Sequence, residues 1–320
     1  MYTSAQFLEK HRTGLGKAAG VGWTIVRAFL VIGLSFILLY PLLYMISMAF
    51  RPVEQAYDPA VFWIPKSLTL ENFKTAIYYM DYWTSIGNTL AVNVVSAMLQ
   101  VIVCVFTGYG FARFNFKGKG LLFGLAVFTI LLPPQVIIIP MSSSLAYFDF
   151  FGLGNIGRLF GSKWTVNLLD TVLSFYLPAA FGAGIKSGLF VFIFRQFFRN
   201  LPKELEDAAA IDGCGFFQTF IRVIVPNAIA VAITAVLLSL VWYWNDYYYS
   251  SIWLTNTRPI SLALSNLSGA FGMDTQNHDP YAVITLMQAG ALITIAPILV
   301  VFIALQRFFV QGVERVGIVG

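Results

Sequence analysis

The sequence predicts an all-α integral membrane protein with about six transmembrane helices and one amphipathic loop, between the fourth and fifth, that stays outside the bilayer. Three observations carry that expectation. Of the 320 residues, 58% are hydrophobic and only 11% charged, where soluble domains carry about 25% charged residues. Several apolar runs are each long enough to cross a bilayer as a helix. The basic residues are also unevenly shared between alternate loops.

Taken in order, Met1–Gly22 is polar and basic (Lys10, His11, Arg12, Lys17) and is read as a cytoplasmic N-terminal arm preceding the membrane. The apolar stretch after it is too long for the core of a cleavable signal. The expected spans are Trp23–Phe50, Trp83–Ala112, Leu121–Tyr147, Leu168–Phe194, Pro226–Leu254 and Ala282–Leu305. In lipid the backbone must satisfy its own hydrogen bonds, so each reads as a helix. Pro41, Pro133-Pro134, Pro140, Pro178 and Pro297 would kink these helices or mark their ends. The remaining loops, 51–82, 148–167 and 255–281, are too short for a separate domain. Residues 23–320 therefore read as one membrane domain that includes the loop 199–226.

One set of loops holds Lys10, Arg12, Lys17, Arg113, Lys117, Lys119, Arg195, Arg199, Lys203, Arg222, Arg307 and Arg315. The other holds Arg51, Lys66, Lys74, Arg158, Lys163 and Arg258. The first set is richer and closer to span ends, so it is expected in the cytoplasm, together with both termini.

Several chemistries find no support. The net charge of +5 is spread over span ends rather than gathered in a patch, which argues against nucleic acid. Cys104 falls in a span and Cys214 in the amphipathic loop, so no disulfide is expected. The surroundings of Lys17 and Lys119 lack the first glycine of a phosphate cradle. Gly152, Gly154 and Gly157 have the spacing of a dinucleotide fingerprint, but no strand precedes them, so an outer loop is expected. Asp274, His278 and Asp279 could hold a cation, with a solvated loop as the plainer reading, and no histidine metal site is expected.

The loop Arg199–Pro226 carries the clearest signal. Asn200 is expected as an N-cap with Pro202 in the first turn, followed by Glu204, Glu206 and Asp207 near the positive end of the helix dipole. Ala208, Ala209 and Ala210 sustain a helix that Gly213 can end in the left-handed conformation. A second short helix, Phe216–Val225, is expected before Pro226 opens the next span.

Asp207-Ala208-Ala209-Ala210-Ile211-Asp212-Gly213, followed by Ile221, Ile224 and Pro226, resembles the "EAA" coupling loop of permease subunits of ABC importers. Asp207 stands where that family usually has Glu, Cys214 where Ala is usual, and Ala230 where a second Pro often follows. Leu132-Pro133-Pro134-Gln135-Val136 with Pro140, Phe194–Phe198, Trp244-Asn245-Asp246-Tyr247 and the tail Leu305–Gly312 with Gly320 are similar to the carbohydrate, maltose-type branch. The resemblance implies a non-catalytic subunit of the bacterial inner membrane. Glu206, Asp207, Ala208, Ala209, Ala210, Asp212 and Gly213 would dock on a separate ATPase, and this chain would bind no cofactor. The implied partners are a second homologous permease, a dimer of ATP-binding cassette subunits using ATP and Mg, an extracytoplasmic solute-binding protein, a sugar and membrane lipid.

Ionisable groups at membrane depth usually face a cavity or a partner. Asp246 beside Asn245 in the fifth span, and Lys186 in the fourth, are therefore assigned to the translocation path or to the interface with a second permease. A capped or snorkelling group near the outer surface is the alternative. The aromatic cluster Trp242, Tyr243, Trp244, Tyr247, Tyr248, Tyr249 and Trp253, with Gln135, Asn245 and Asp246, could stack and hydrogen-bond a saccharide. An interfacial aromatic belt or plain packing explains most of the cluster equally well. Gly-x-x-x-Gly spacings at 120–124 and 184–188 permit close helix approach.

The reading is an importer permease that moves a sugar or oligosaccharide by alternating access. An acidic saccharide or another polar solute is the alternative cargo. A secondary transporter would show repeated halves and paired charges, and a membrane enzyme would need a catalytic constellation; neither is evident.

Overall fold

The computed structural model describes residues 4–317 other than 59, 61, 62 and 277, with side chains from 22 to 306. The side chains of Lys10, Arg12 and Lys17, those of 307–315 in the tail, and Gly320 altogether lie outside the described residues. Two units divide the chain, 1–73 with 278–292, and 74–277 with 293–320.

In the first unit, α1 (Ser4–Ala49) runs unbroken through the basic arm and the first apolar stretch, with Pro41 inside it. Beyond it, Asn72 Nδ2 donates to the carbonyls of Ala49 at 2.9 Å and Arg51 at 2.8 Å, and Thr69 N donates to Phe50 O at 2.9 Å. These bonds fold the segment after α1, with its one-turn helix α2 (Val53–Ala56), back along the helix end. They satisfy carbonyls that a helix terminus leaves without partners.

In the second unit, α3 (Glu71–Tyr79) leads into α4 (Tyr82–Arg113), the longest span there and its organising element. Behind α4 come α5 (Lys119–Leu131) and α6 (Pro134–Ala146), α7 (Leu173–Ala180) and α8 (Ser187–Asn200), and the short α9 (Glu204–Ile211). The chain continues through α10 (Phe216–Thr219), α11 (Val225–Trp244), α12 (Tyr248–Trp253), α13 (Ile260–Thr275) and α14 (Pro280–Gly317), whose residues up to Leu292 belong to the first unit.

Among the described residues, four helical stretches are long and apolar enough to cross a membrane: Gly22–Ala49, Tyr82–Arg113, Phe216–Trp244 and Pro280–Gln306. The pair α5 and α6 makes a fifth if it counts as one span, bent by 110° at Leu132-Pro133. The fourth expected span, Leu168–Phe194, is not one helix. It breaks between α7 and α8, where Gly182 (φ +74°) and Lys186 (φ +60°) adopt left-handed backbone, and α8 then runs six residues past Phe194. The fifth ends at Trp244 instead of Leu254, because Asn245 leaves the helix and α12 starts afresh. A sequence shows the apolar run but not the backbone turn hidden within it.

The expected second short helix of the loop, Phe216–Val225, is fused to the fifth span. Pro226 has no N–H, and its ring would collide with the carbonyl four residues back. A π-helical turn over Phe220–Ile224 widens the helix there, so it continues past the proline.

The core of this unit joins Val101, Cys104, Val105 and Tyr109 of α4 to Phe190, Phe194 and Phe198 of α8 and to Ala228, Val231 and Ala235 of α11. Between helices in lipid the hydrophobic effect contributes little, so close van der Waals fit carries the association. Gly108 supplies it: a Cβ there would lie 2.5 Å from Phe194 Cβ and 3.0 Å from Arg195 N. Gly120 and Gly124 face open space, whereas Gly188 packs on Ala126 O and Gly184 on Tyr243 and Gln100. The same buried side of α4 carries Ser85, Thr89, Asn93, Ser96 and Gln100 at steps of three and four residues.

Candidate functional site

The amphipathic loop starts later than its composition suggests. Asn200 is the last residue of α8, not an N-cap; Leu201 turns extended (φ −72°, ψ 131°) and α9 starts at Glu204. The position before it, Lys203, makes no side-chain cap, although its carbonyl accepts from Glu206 N at 2.9 Å. Glu204, Glu206 and Asp207 occupy the first turn, where the helix dipole favours negative charge.

Arg113, in the last turn of α4, fixes that first turn. Its Nη2 donates to Leu201 O at 2.8 Å, and its Nε pairs with Glu206 Oε1 at 2.7 Å, both side chains being largely buried. In the sequence Arg113 is only a marker of orientation, because nothing in its spacing distinguishes a clamp from a snorkelling end charge. Beside the ion pair, Tyr109 packs against Phe198, Phe216 and Phe220 with ring centroids 4.8–5.9 Å apart.

The far end closes as a Schellman turn. Cys214 N donates to Ala209 O (2.9 Å), Gly213 N to Ala210 O (3.1 Å), and Gly213 holds φ +81°. Ala209 is buried against the turn that follows, while Asp207, Ala208, Ala210, Asp212 and Gly213 are exposed. Ile211 (86% exposed), Phe216 (54%) and Phe217 (61%) add an apolar edge to the same loop. A hollow of about 330 Å3 opens between Tyr109, Arg113, Asp207, Ala210 and Phe216. Cys104 and Cys214 are both free thiols, the first buried and the second half-buried.

The residues expected along the path lie at the three interruptions of the spans. Gln135 is exposed in the first turn of α6. Lys186 is exposed at the left-handed start of α8 rather than within a helix, and lines a cavity of about 220 Å3 with Thr129, Leu132, Ile137, Met141 and Tyr249. Trp244 is buried and its indole N–H donates to Thr294 O at 3.0 Å. Asn245 is exposed and turns its amide back onto Val241 O at 2.9 Å, helping to end α11. Asp246, 9% exposed, sits between α11 and α12 rather than inside a span. It accepts from Ser250 N (2.8 Å), Ser250 Oγ (2.9 Å) and Tyr249 N (3.3 Å), which makes it a cap for α12. Tyr247 is half exposed. Lys186 and Asp246 are thus not partners; Tyr249 stands between them, lining the cavity and donating its amide to Asp246.

Two further residues missed from the sequence brace turns, one at the Lys186 break and one in the loop after α12. Gln100, fully buried, donates through Nε2 to Ile185 O at 2.6 Å and so braces the turn before Lys186. Its signal was available in the polar period 85, 89, 93, 96, 100 along α4. Asp170 (φ +60°) accepts from Thr255 N and Asn256 N, both at 2.8 Å, and from Asn256 Nδ2. The Asn256 amide, foremost among these donors, holds its carboxyl below the usual aspartate range.

The minor motifs resolve as structure. Gly152–Gly157 lies around a 3-10 helix (Leu153–Phe160), and a Cβ on Gly154 would meet Trp164 O at 2.1 Å, so no room remains for a pyrophosphate. Asp274 accepts from Tyr79 OH at 2.6 Å, and among the described residues no group of His, Cys, Asp and Glu could hold a metal. That hydrogen bond, with burial, pushes the Tyr79 hydroxyl up to about 12.

A helical, multi-pass chain with interrupted spans and a clamped amphipathic turn just before the span Phe216–Trp244 defines a polytopic membrane protein. Residues 100–315 match the family described as the binding-protein-dependent transport system inner membrane component, and the chain belongs to it. It is 31% identical over 314 residues to the arabinooligosaccharides transport system permease protein AraQ of Halalkalibacterium halodurans, covering 94% of this chain and 97% of that one. It is 28% identical to the trehalose transport system permease protein SugB of Mycobacterium tuberculosis, covering 96% of this chain and 100% of that one. Its fold matches a chain of a bacterial ABC transporter involved in import of the acidic polysaccharide alginate, with TM-score 0.68, 20% identity, and 91% and 98% of the two chains covered.

Proposed function

We propose that this chain is one permease of an ATP-driven importer that carries a sugar or oligosaccharide into the cytoplasm by alternating access. One observation carries the reading. α9 is a short rod clamped at one end by Arg113, locked at the other by the Schellman turn, and exposed along Asp207, Ala208, Ala210 and Ile211. A rigid exposed rod between two spans transmits displacement; a frayed loop would absorb it. The neighbouring ATPase pair would use ATP and Mg, and this chain would supply the lever. A second permease and an extracytoplasmic binding protein complete the assembly. The substrates for which two relatives are named, arabinooligosaccharides and trehalose, support a saccharide cargo. A related alginate transporter solved together with its saccharide-loaded periplasmic protein supports the binding-protein partner.

Gln135, Lys186, Trp244, Asn245, Asp246 and Tyr247 would border the path, Lys186 through the cavity it lines and the others at the breaks that reshape as the spans reopen. Both termini and α9 would be cytoplasmic, as the basic residues indicate. Cys214 tests that orientation: an impermeant maleimide should label it in inside-out vesicles and not in intact cells, and labelling from outside would refute it.

The lever is tested on the assembly purified through this chain. Gly213→Pro cannot adopt φ +81° and removes the Gly213 N–H bond to Ala210 O. ATP-driven sugar uptake into vesicles should fall at least about tenfold while the complex remains inserted. Unchanged uptake by the variant, or a purified complex with no ATPase, would count against the reading.

A further inference from the structure

At the Tyr82 end of α4 two adjoining hollows, of about 690 and 280 Å3, share Tyr79, Asp81 and Ala270. The first is walled by aromatic rings: Tyr78 and Trp83 are 74% and 73% exposed, with Tyr82 beside them and Asp274 opposite. The second is lined by Thr84, Asn88, Asn256, Arg258 and Asn266. Flat apolar planes thus run directly into a field of amides and charged groups.

The polar groups are held and still available. Tyr79 is fixed by its bond to Asp274 and by edge-on packing against Phe271 at 5.6 Å. Asp81 occupies the N-cap position of α4 in left-handed backbone (φ 42°) yet caps nothing, so its carboxylate is left to the hollow. The segment bearing Asn256 and Arg258 is pinned on one side by Asp170 and on the other by Thr89, whose Oγ1 accepts from Ile260 N at 2.7 Å. Asn88 Nδ2 reaches the Arg258 carbonyl at 3.4 Å. Among the described residues, no carboxylate forms an ion pair with the Arg258 guanidinium. Rings placed only for a lipid interface would not have carboxylates set among them, because those are costly to immerse.

We propose that this groove binds a neutral saccharide unit at the outer mouth of the permease, its C–H face on Trp83 and Tyr78 and its hydroxyls on Asp81, Asn88, Arg258 and Asn266. This rests on the sugar-import reading and its orientation. Sugar rings offer an apolar face and a rim of hydroxyls that both donate and accept, and the groove presents the matching pair of surfaces. Two carboxylates against one guanidinium leave it net negative, which disfavours a uronate.

The test uses the importer purified through this chain, without its binding protein, titrated with arabinotriose, maltotriose and an alginate trisaccharide up to about 50 mM. A neutral trisaccharide should change tryptophan fluorescence, and the change should vanish in Trp83→Phe. In Asn88→Ala/Asn266→Ala the affinity should weaken about tenfold, with elution and retention of the ATPase showing that the variant is folded. No binding by the wild type, equal binding by the folded variants, or preference for the alginate probe would overturn the proposal. So would variants that lose only the binding protein's affinity, which would assign the groove to that partner. If the loaded wild-type importer takes up no saccharide at all, the sugar reading itself fails; uptake without groove binding removes only the groove.

Discussion

The two ends of α4 are built by opposite means. At the Arg113 end, an ion pair, a guanidinium on a backbone carbonyl and a nest of phenylalanine rings fasten α9. At the Tyr82 end, threonine, asparagine and aspartate hydrogen bonds pin a loop while leaving rings and amides open to solvent. Glycine use follows the same division: a Cβ at Gly108 would strike the α8 backbone, while one at Gly87 would meet nothing within 4 Å. On the proposed reading, the end that passes on a push must not yield and is tightly filled, and the end that meets a solute needs rigid groups with unspent hydrogen-bonding capacity.

The largest test of that contrast is Gly108→Leu beside Gly87→Leu. Overpacking between α4 and α8 should cost about 3 kcal/mol or more, so the first variant should not elute as a monodisperse protein. The second should be indistinguishable from wild type. Equal behaviour of the two would erase the distinction.

Arg113→Met comes next. It strands Glu206 and frees Leu201 O, a loss of about 2–3 kcal/mol given that Glu206 keeps some contact with water. A thermal shift assay on the complex should show a lower midpoint, and hydrolysis should continue with less transport. Glu206→Gln, which can still accept a hydrogen bond, should cost less. A larger loss from Glu206→Gln would mean the pair is not the clamp.

The smallest effect belongs to the opposite end. Asp170 has a lowered folded pKa, so its contribution is complete above the unfolded aspartate value of about 3.9 and is lost as pH falls through the lower folded value. Hydrogen exchange at Thr255, Asn256 and Thr257 should therefore quicken only in strong acid. Asp170→Asn should exchange quickly at every pH. Acid-insensitive protection in the wild type would show that another contact holds the loop.

Much of this was legible beforehand where one physical cause acted alone. Gly213 is left-handed because the alanine helix ends beside it and glycine adopts positive φ without a Cβ penalty. Leu132-Pro133-Pro134 had to break a span. The failures fell where two causes compete. Asn200 is a good N-cap by composition, but the amphipathic α8 extended through it because Phe198 is buried in the core and Arg113 takes the next carbonyl. Lys186 lay inside an apolar run, but Gly182 lets the chain leave the helix just before it, and Lys186 itself is left-handed.

By itself, the sequence determined that the chain lives in a membrane as helices and where its amphipathic rod lies, because apolar run length and backbone hydrogen bonding in lipid are local matters. Only the tertiary structure decided that Arg113 grips Glu206, that Gln100 braces Ile185, and that Asp170 and Thr89 hold Arg258 above a rim of aromatic rings. Those partners stand 85–171 residues apart for the hydrogen bonds to Ile185, Asn256 and Ile260. No periodicity reaches that far; packing has to bring them together.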